Sequence, residues 1–163
     1  MSTPRWLTDP EQRAWRAYRR MQTVLPARLA QDLAADSGLS EPDYDVLSTL
    51  SERPGHRWQL RELAAWMLWS RSRLSHHVTR MERRGLVGSV GDPDDRRGTM
   101  ISLTPHGSEV LTKAAVLHVA AVRRHFIDLL SPEEVEVLAA VAERVVAHLG
   151  ADEVGPALTP PAG

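Results

Sequence analysis

Fourteen residues in the middle of the chain, 70–83, concentrate the side chains able to do chemistry. Ser70, Arg71, Ser72, Arg73, Ser75, His76, Thr79, Arg80 and Arg83 are interleaved with only three apolar residues, Leu74, Val78 and Met81. Those three recur at i, i+4 and i+7, the spacing of a single helical stripe. On a wheel centred on Leu74, Ser72, His76, Thr79 and Arg83 lie away from the stripe, with Arg73 and Arg80 on one flank. Arginine can read guanine O6 and N7, and Ser, Thr and His can donate to base edges or phosphates. The amides after Ser70, a candidate N-cap, suit a phosphate. The same arginines, with Arg84, also fit a solvated helix face, so this helix alone leaves both readings open. His76 and His77 point 100° apart on a helix, a poor metal pair, and are expected to be ordinary surface histidines.

A second charged cluster follows at 92–98, Asp-Pro-Asp-Asp-Arg-Arg-Gly. Taken alone it is a polar turn. Behind the helix it is a projecting tip, and a projecting arginine can enter a narrow minor groove, where the negative potential is enhanced.

The elements that position these clusters are legible around them. Residues 59–67 read as a short helix carrying Leu60, Leu63 and Ala64. A turn at Leu68-Trp69 leads into the helix from Ser70 to Gly85. That is a helix-turn-helix pattern. Residues 86–90 and 99–103 are short and β-branched around the polar tip, a β-hairpin. Upstream, Asp9 as cap, Pro10 and Gln12 open a first helix, in which Pro26 should introduce a kink and which Asp36-Ser37-Gly38 ends. Ser40 caps a second, with Tyr44, Leu47 and Leu50 turned inward. Downstream, Thr104-Pro105 starts a helix running to about 130. Ser131-Pro132-Glu133-Glu134 caps the last, striped by Val135, Leu138, Val141, Val145 and Leu149. The fold class is mainly α with a small β-hairpin wing.

Composition bounds the function. The 163 residues fit one domain, large enough to need no disulfide or metal staple. There is no cysteine, which excludes disulfides, thiolate metal sites and a cysteine nucleophile. No apolar run is long enough to span a membrane. The N-terminus lacks the apolar core of a secretory signal, and a cytoplasmic location is expected. The net charge of −1 hides a strong division. Residues 53–98 hold ten arginines against five acids, whereas 29–52 hold six acids and no Lys or Arg. The basic stretch coincides with the two charged clusters.

These pieces, in order, resemble the MarR family of winged helix-turn-helix transcription regulators. The resemblance is carried by Leu63-Ala64; by Ser70-Arg71-Ser72-Arg73-Leu74-Ser75-His76-His77-Val78; by Met81-Glu82-Arg83-Arg84-Gly85-Leu86-Val87; by Asp92-Pro93-Asp94-Asp95-Arg96-Arg97-Gly98; and by Leu103-Thr104-Pro105-His106-Gly107. It implies a winged-helix lobe over about 40–104 and a helical dimerisation lobe from about 9–36 and 105–149. Residues 151–163, rich in Pro and Ala, are expected from composition to be a disordered tail, beyond the single unit over 1–150 that the resemblance implies. The resemblance also implies a homodimer on a pseudo-palindromic double-stranded DNA operator, with a recognition helix in the major groove of each half-site. The wing residues Asp95, Arg96 and Arg97 would lie at the minor groove, with Arg97 inserted and Asp95 orienting the tip. Family members are usually repressors released by small aromatic ligands, by oxidation or sometimes by metals. Without cysteine the thiol-oxidation route is excluded here.

The ligand pocket cannot be assigned residue by residue. Trp15, Tyr18, Trp66 and Trp69 suggest an aromatic cage but are more often core or interface residues at these spacings. His118, His125 and His148 lack the tight spacing a zinc site needs. No cofactor or metal is expected, and no phosphate loop, nucleophile elbow or His-Glu-x-x-His helix marks an enzyme. The alternative is a winged-helix module for protein contact without a DNA role.

Overall fold

The computed structural model describes residues 5–91 and 98–150. Its elements are α1 (Asp9–Ser37), α2 (Glu41–Ser51), β1 (Arg57–Gln59), α3 (Leu60–Trp66), α4 (Arg71–Arg83), β2 (Val87–Gly91), β3 (Thr99–Leu103), α5 (Pro105–His125) and α6 (Pro132–His148), with 3-10 turns at Pro54–His56 and Ile127–Leu129.

The helix starts follow local chemistry. Ser40 and Ser131 close capping boxes with Asp43 and Glu134. Ser70 and Thr104 accept from the amides of Arg73 and Gly107. At α1 the cap differs from expectation. Thr8 is the N-cap, and Glu11 takes its backbone N–H at 2.7 Å. Asp9 and Pro10 are already helical, and Gln12 bonds the Leu7 carbonyl instead. The Thr-x-x-Glu box satisfies two donors reciprocally with a charged acceptor at Glu11, one residue ahead of the alternative Asp9/Gln12 pair. Pro26 lies inside α1 without ending it. Gly38, at φ 70°, turns the chain into α2.

The hairpin is real but is part of a three-stranded antiparallel sheet, ordered β1-β3-β2. Val87 pairs with Leu103 and Trp58 with Ile101. The third strand corrects the expected two-stranded wing. Three residues are too short to show alternation, and β1 exists because β3 offers it a free edge. Leu47, Leu50, Leu63, Leu74, Met81 and Ile101 are fully buried where α2, α3, α4 and the sheet meet.

Two further boundaries differ. α5 stops at His125, not near 130, because Phe126 leaves helical geometry (φ −142°, ψ −67°). Within one chain α6 buries none of its residues, and Val137, Leu138, Val141, Val145 and Leu149 are all exposed. Trp15, Tyr18 and Val24 of α1 are exposed as well. The tail anticipated at 151–163 lies outside the described residues.

Candidate nucleic-acid interface

The site begins with the turn into α4. Leu68 takes a left-handed φ of 53° and is 91% exposed. Trp69 follows, half-buried against the core. The Ser70 hydroxyl then accepts from the Arg73 amide at 3.2 Å, which fixes the first turn of α4.

From there the pattern of the sequence is kept. Leu74, Val78 and Met81 are buried, while Ser70, Arg71, Ser72, Arg73, Ser75, His76, Thr79, Arg80 and Arg83 are all exposed. Their common helix brings them to one surface. Arg73 is held there: its guanidinium carbon lies 4.0 Å from the centre of the Trp69 ring. The Thr79 hydroxyl donates to the Ser75 carbonyl at 3.0 Å. The wing residues Asp95, Arg96 and Arg97 lie outside the described residues; the strands that flank them end at Gly91 and begin at Thr99.

His77 departs from expectation. It is buried, not a surface histidine. Its position three residues after Leu74 and four before Met81 places it on the edge of the apolar stripe, a signal available in the sequence. Its ring meets Trp69 edge-on at 5.6 Å. Nε2 lies 3.1 Å from Oδ1 of Asp43, without the alignment of a full hydrogen bond. Nδ1 is 2.7 Å from an Arg80 Nη. Arg84 is likewise not a free solvated charge. It donates to Oδ2 of Asp43 at 2.7 Å and to the Gly38 carbonyl at 3.2 Å. Ser40 adds its backbone N–H to the same carboxylate at 3.0 Å. Burial by itself pushes the Asp43 carboxyl up, but the contacts from His77, Arg84 and Ser40 outweigh it and hold the group well below the usual carboxylate range.

Its neighbour Asp45 shows the opposite balance. Burial, and secondarily the Glu41 charge, push its carboxyl up to about 6. The folded chain therefore binds this proton more tightly than the unfolded chain, whose value is 3.8. Stability is lost as pH rises from that value through about 6. Asp45→Asn is expected to raise stability by about 1–2 kcal/mol at neutral pH, the carboxylate being only partly shielded from water. The gain should vanish near pH 4, roughly the unfolded-state value. Urea unfolding at the two pH values checks it.

The aromatic residues do not assemble a cage. Trp15 stacks on Tyr18 at 5.7 Å, Trp66 packs on Trp58 at 5.7 Å, and Trp69 lies between Arg73 and His77. One open groove of about 690 Å³ lies on the sheet beside the wing, lined by Arg53, Arg57, Trp58, Val90, Met100 and Ser102 among others. His118 and His125 are separately engaged. His118 packs on Tyr44 at 4.6 Å, with burial pushing its pKa down, and His125 contacts Asp32 at 2.8 Å.

The profile of the MarR family matches residues 39–99. The transcriptional regulator HosA of Escherichia coli O111:H- is 31% identical over 109 residues, 66% of this chain and 78% of that protein. The crystal structure of AbsC, a MarR family transcriptional regulator from Streptomyces coelicolor, superposes with a TM-score of 0.84 at 44% identity. It covers 91% of this chain and 100% of that one. Sco3205, a MarR family regulator from the same organism whose structure is in complex with DNA, gives 0.83 at 41% identity, covering 90% of this chain and 91% of its own. Shared sequence and shared architecture cover most of the chain, and the chain belongs to the MarR family of transcriptional regulators.

Proposed function

We propose that the chain is a homodimeric repressor that binds double-stranded DNA in a sequence-specific manner at a pseudo-palindromic operator. The observation that carries this reading is the surface of α4, where Arg, Ser, Thr and His side chains are exposed together on a helix whose other face is anchored in the core. A face of this chemistry suits a major groove. The DNA complex of Sco3205 supports it from outside the chain. In this reading residues 40–104 form the DNA-binding lobe, with Asp95, Arg96 and Arg97 at the wing. The helices over 9–36 and 105–149 form the dimerisation lobe, whose exposed apolar side chains on α1 and α6 a second copy would cover. The protein would work beside the chromosome in the cytoplasm and release its operator on binding a small aromatic ligand. Among the described residues no helix is long and apolar enough to cross a membrane.

Selection from a random-sequence duplex library tests the reading. The expected product is an inverted repeat with half-sites about 10 base pairs apart, one turn of DNA. The protein should sediment at twice its chain mass of 18.1 kDa. Arg73→Ala should relax base preference at one position per half-site by about 1–3 kcal/mol. Arg97→Ala should weaken every selected duplex about tenfold or more, as loss of a minor-groove arginine does. No enrichment of any duplex, or a monomer at micromolar concentration, would overturn the assignment.

A further inference from the structure

We propose that His77, in its neutral Nε2–H tautomer, is the positioning residue that holds Arg80 for DNA. The inference rests on the DNA-binding reading and concerns a residue that itself faces the core. Four groups surround the imidazole. Asp43 and Asp45 approach from α2, Arg80 from the next turn of α4, and Trp69 from the preceding turn of chain; Arg84 reaches the same Asp43 carboxylate.

The tautomer follows from what these partners can do. A guanidinium has donors only, so the Nδ1 that it approaches at 2.7 Å must be a bare acceptor. An ionised carboxylate has acceptors only, and Asp43 is held ionised by its neighbours. A bare Nε2 would set a lone pair against Oδ1 at 3.1 Å, so the single ring proton belongs on Nε2. An imidazolium would satisfy Asp43 but would turn Nδ1 into a donor facing a cation.

Arg80 therefore differs from the other arginines of the interface. Its residue is exposed, yet one guanidinium nitrogen is tied to a side chain whose own exposure is 7%. A guanidinium has five N–H donors, and one bond to the imidazole leaves the rest free for phosphate or base. Anchoring a long side chain before binding removes part of the rotamer entropy that DNA contact would otherwise cost. Arg73, laid on the Trp69 ring, is anchored by a different route to the same cluster.

The test uses the duplex enriched by wild-type protein from the random library, with the full chain. Affinities are measured for the wild type, His77→Gln, His77→Asn, Arg80→Ala and the His77→Gln/Arg80→Ala double variant, alongside the melting temperature of each. Glutamine places an amide nitrogen where Nε2 faces Asp43 but offers Arg80 no acceptor. Asparagine places a carbonyl oxygen near the Nδ1 position. His77→Gln is expected to weaken binding about fivefold, the cost of ordering one long side chain that anchoring otherwise removes, and His77→Asn about twofold or less. The double variant should bind no more weakly than Arg80→Ala alone.

Multiplying effects in the double variant, or wild-type affinity in either His77→Gln or Arg80→Ala, would overturn the inference and leave the DNA reading intact. A wild-type chain that enriches no duplex overturns both. Nitrogen-15 spectra of the imidazole in the unaltered protein give a readout that needs no variant to fold. A protonated Nε2 and a bare Nδ1 are expected near pH 7.5 (an assay choice), and an Nδ1–H tautomer or an imidazolium would also overturn it.

Discussion

Gly107→Ala is expected to destabilise the chain by about 3–5 kcal/mol, a large share of a domain's usual stability. Gly107 is the third residue of α5, and a Cβ built on it would stand 1.9 Å from the Leu86 carbonyl oxygen and 2.9 Å from its carbon. No rotamer relieves this clash, because both partners are main chain. Nor is the carbonyl free to retreat. It accepts from the Thr104 backbone N–H at 3.3 Å and from the Thr104 hydroxyl at 3.0 Å. The same hydroxyl caps Gly107 at 2.9 Å and reaches the Gly85 carbonyl at 2.6 Å. The end of α4, the start of β2 and the start of α5 are thus drawn to one oxygen atom. A methyl group at 107 has to push α5 off the sheet. The melting temperature should fall by roughly 10 °C for a chain of this size. Gly91→Ala is the control: nothing lies within 4 Å of its Cβ, and its melting temperature should not move.

Asp43→Ala should cost about 2–4 kcal/mol, the loss of a buried carboxylate that receives a guanidinium and a helix-start amide and faces a buried imidazole. The carboxylate contacts His77 from one oxygen and takes Arg84 and the Ser40 amide on the other. Its loss strands a buried imidazole, a guanidinium and a helix N-terminus at once. The sign of the pH dependence follows from the direction of the shift. The folded value lies below the unfolded one, so the stabilisation is complete above about pH 4 and disappears as pH falls further. Wild type and variant should therefore differ most at neutral pH and converge in strong acid. Denaturant titrations across that range check both the size and the direction. A difference that grew on acidification would exclude the carboxylate as its source.

What the sequence revealed depends on how far each interaction reaches. Ser40, Ser70, Thr104 and Ser131 were legible as caps because each bonds an amide three residues ahead. The α4 stripe was legible because one helix carries it. Leu138, Val141 and Val145 were legible as a stripe too, although one chain leaves them uncovered. β1 was not, since its three residues owe their conformation to Met100, Ile101 and Ser102, some forty residues away in sequence. The contacts of Arg84 are out of reach for the same reason: Asp43, which it grips, lies on another helix, and helical periodicity has no means of pairing them. His77 is different, since its place beside Leu74 and Met81 marks it as an edge residue of the stripe, and only its contact with Asp43 is beyond the sequence. The first helix shows a subtler failure: Thr8-x-x-Glu11 and Asp9-x-x-Gln12 are both capping patterns, one residue out of phase, and only the backbone decides between them.

Arg84 sits at the C-terminal end of α4, and its guanidinium grips both the carbonyl of Gly38, where α1 ends, and the carboxylate of Asp43, where α2 begins. The joint between the long first helix and the lobe that carries α4 is therefore cross-braced rather than a free swivel. If the proposed dimer forms through α1 and α6, the distance from one α4 to its twin would be an angular quantity, set at this brace and magnified along the lobe. Changing the tilt there would re-space the two reading heads without altering a single residue that touches the partner or the DNA.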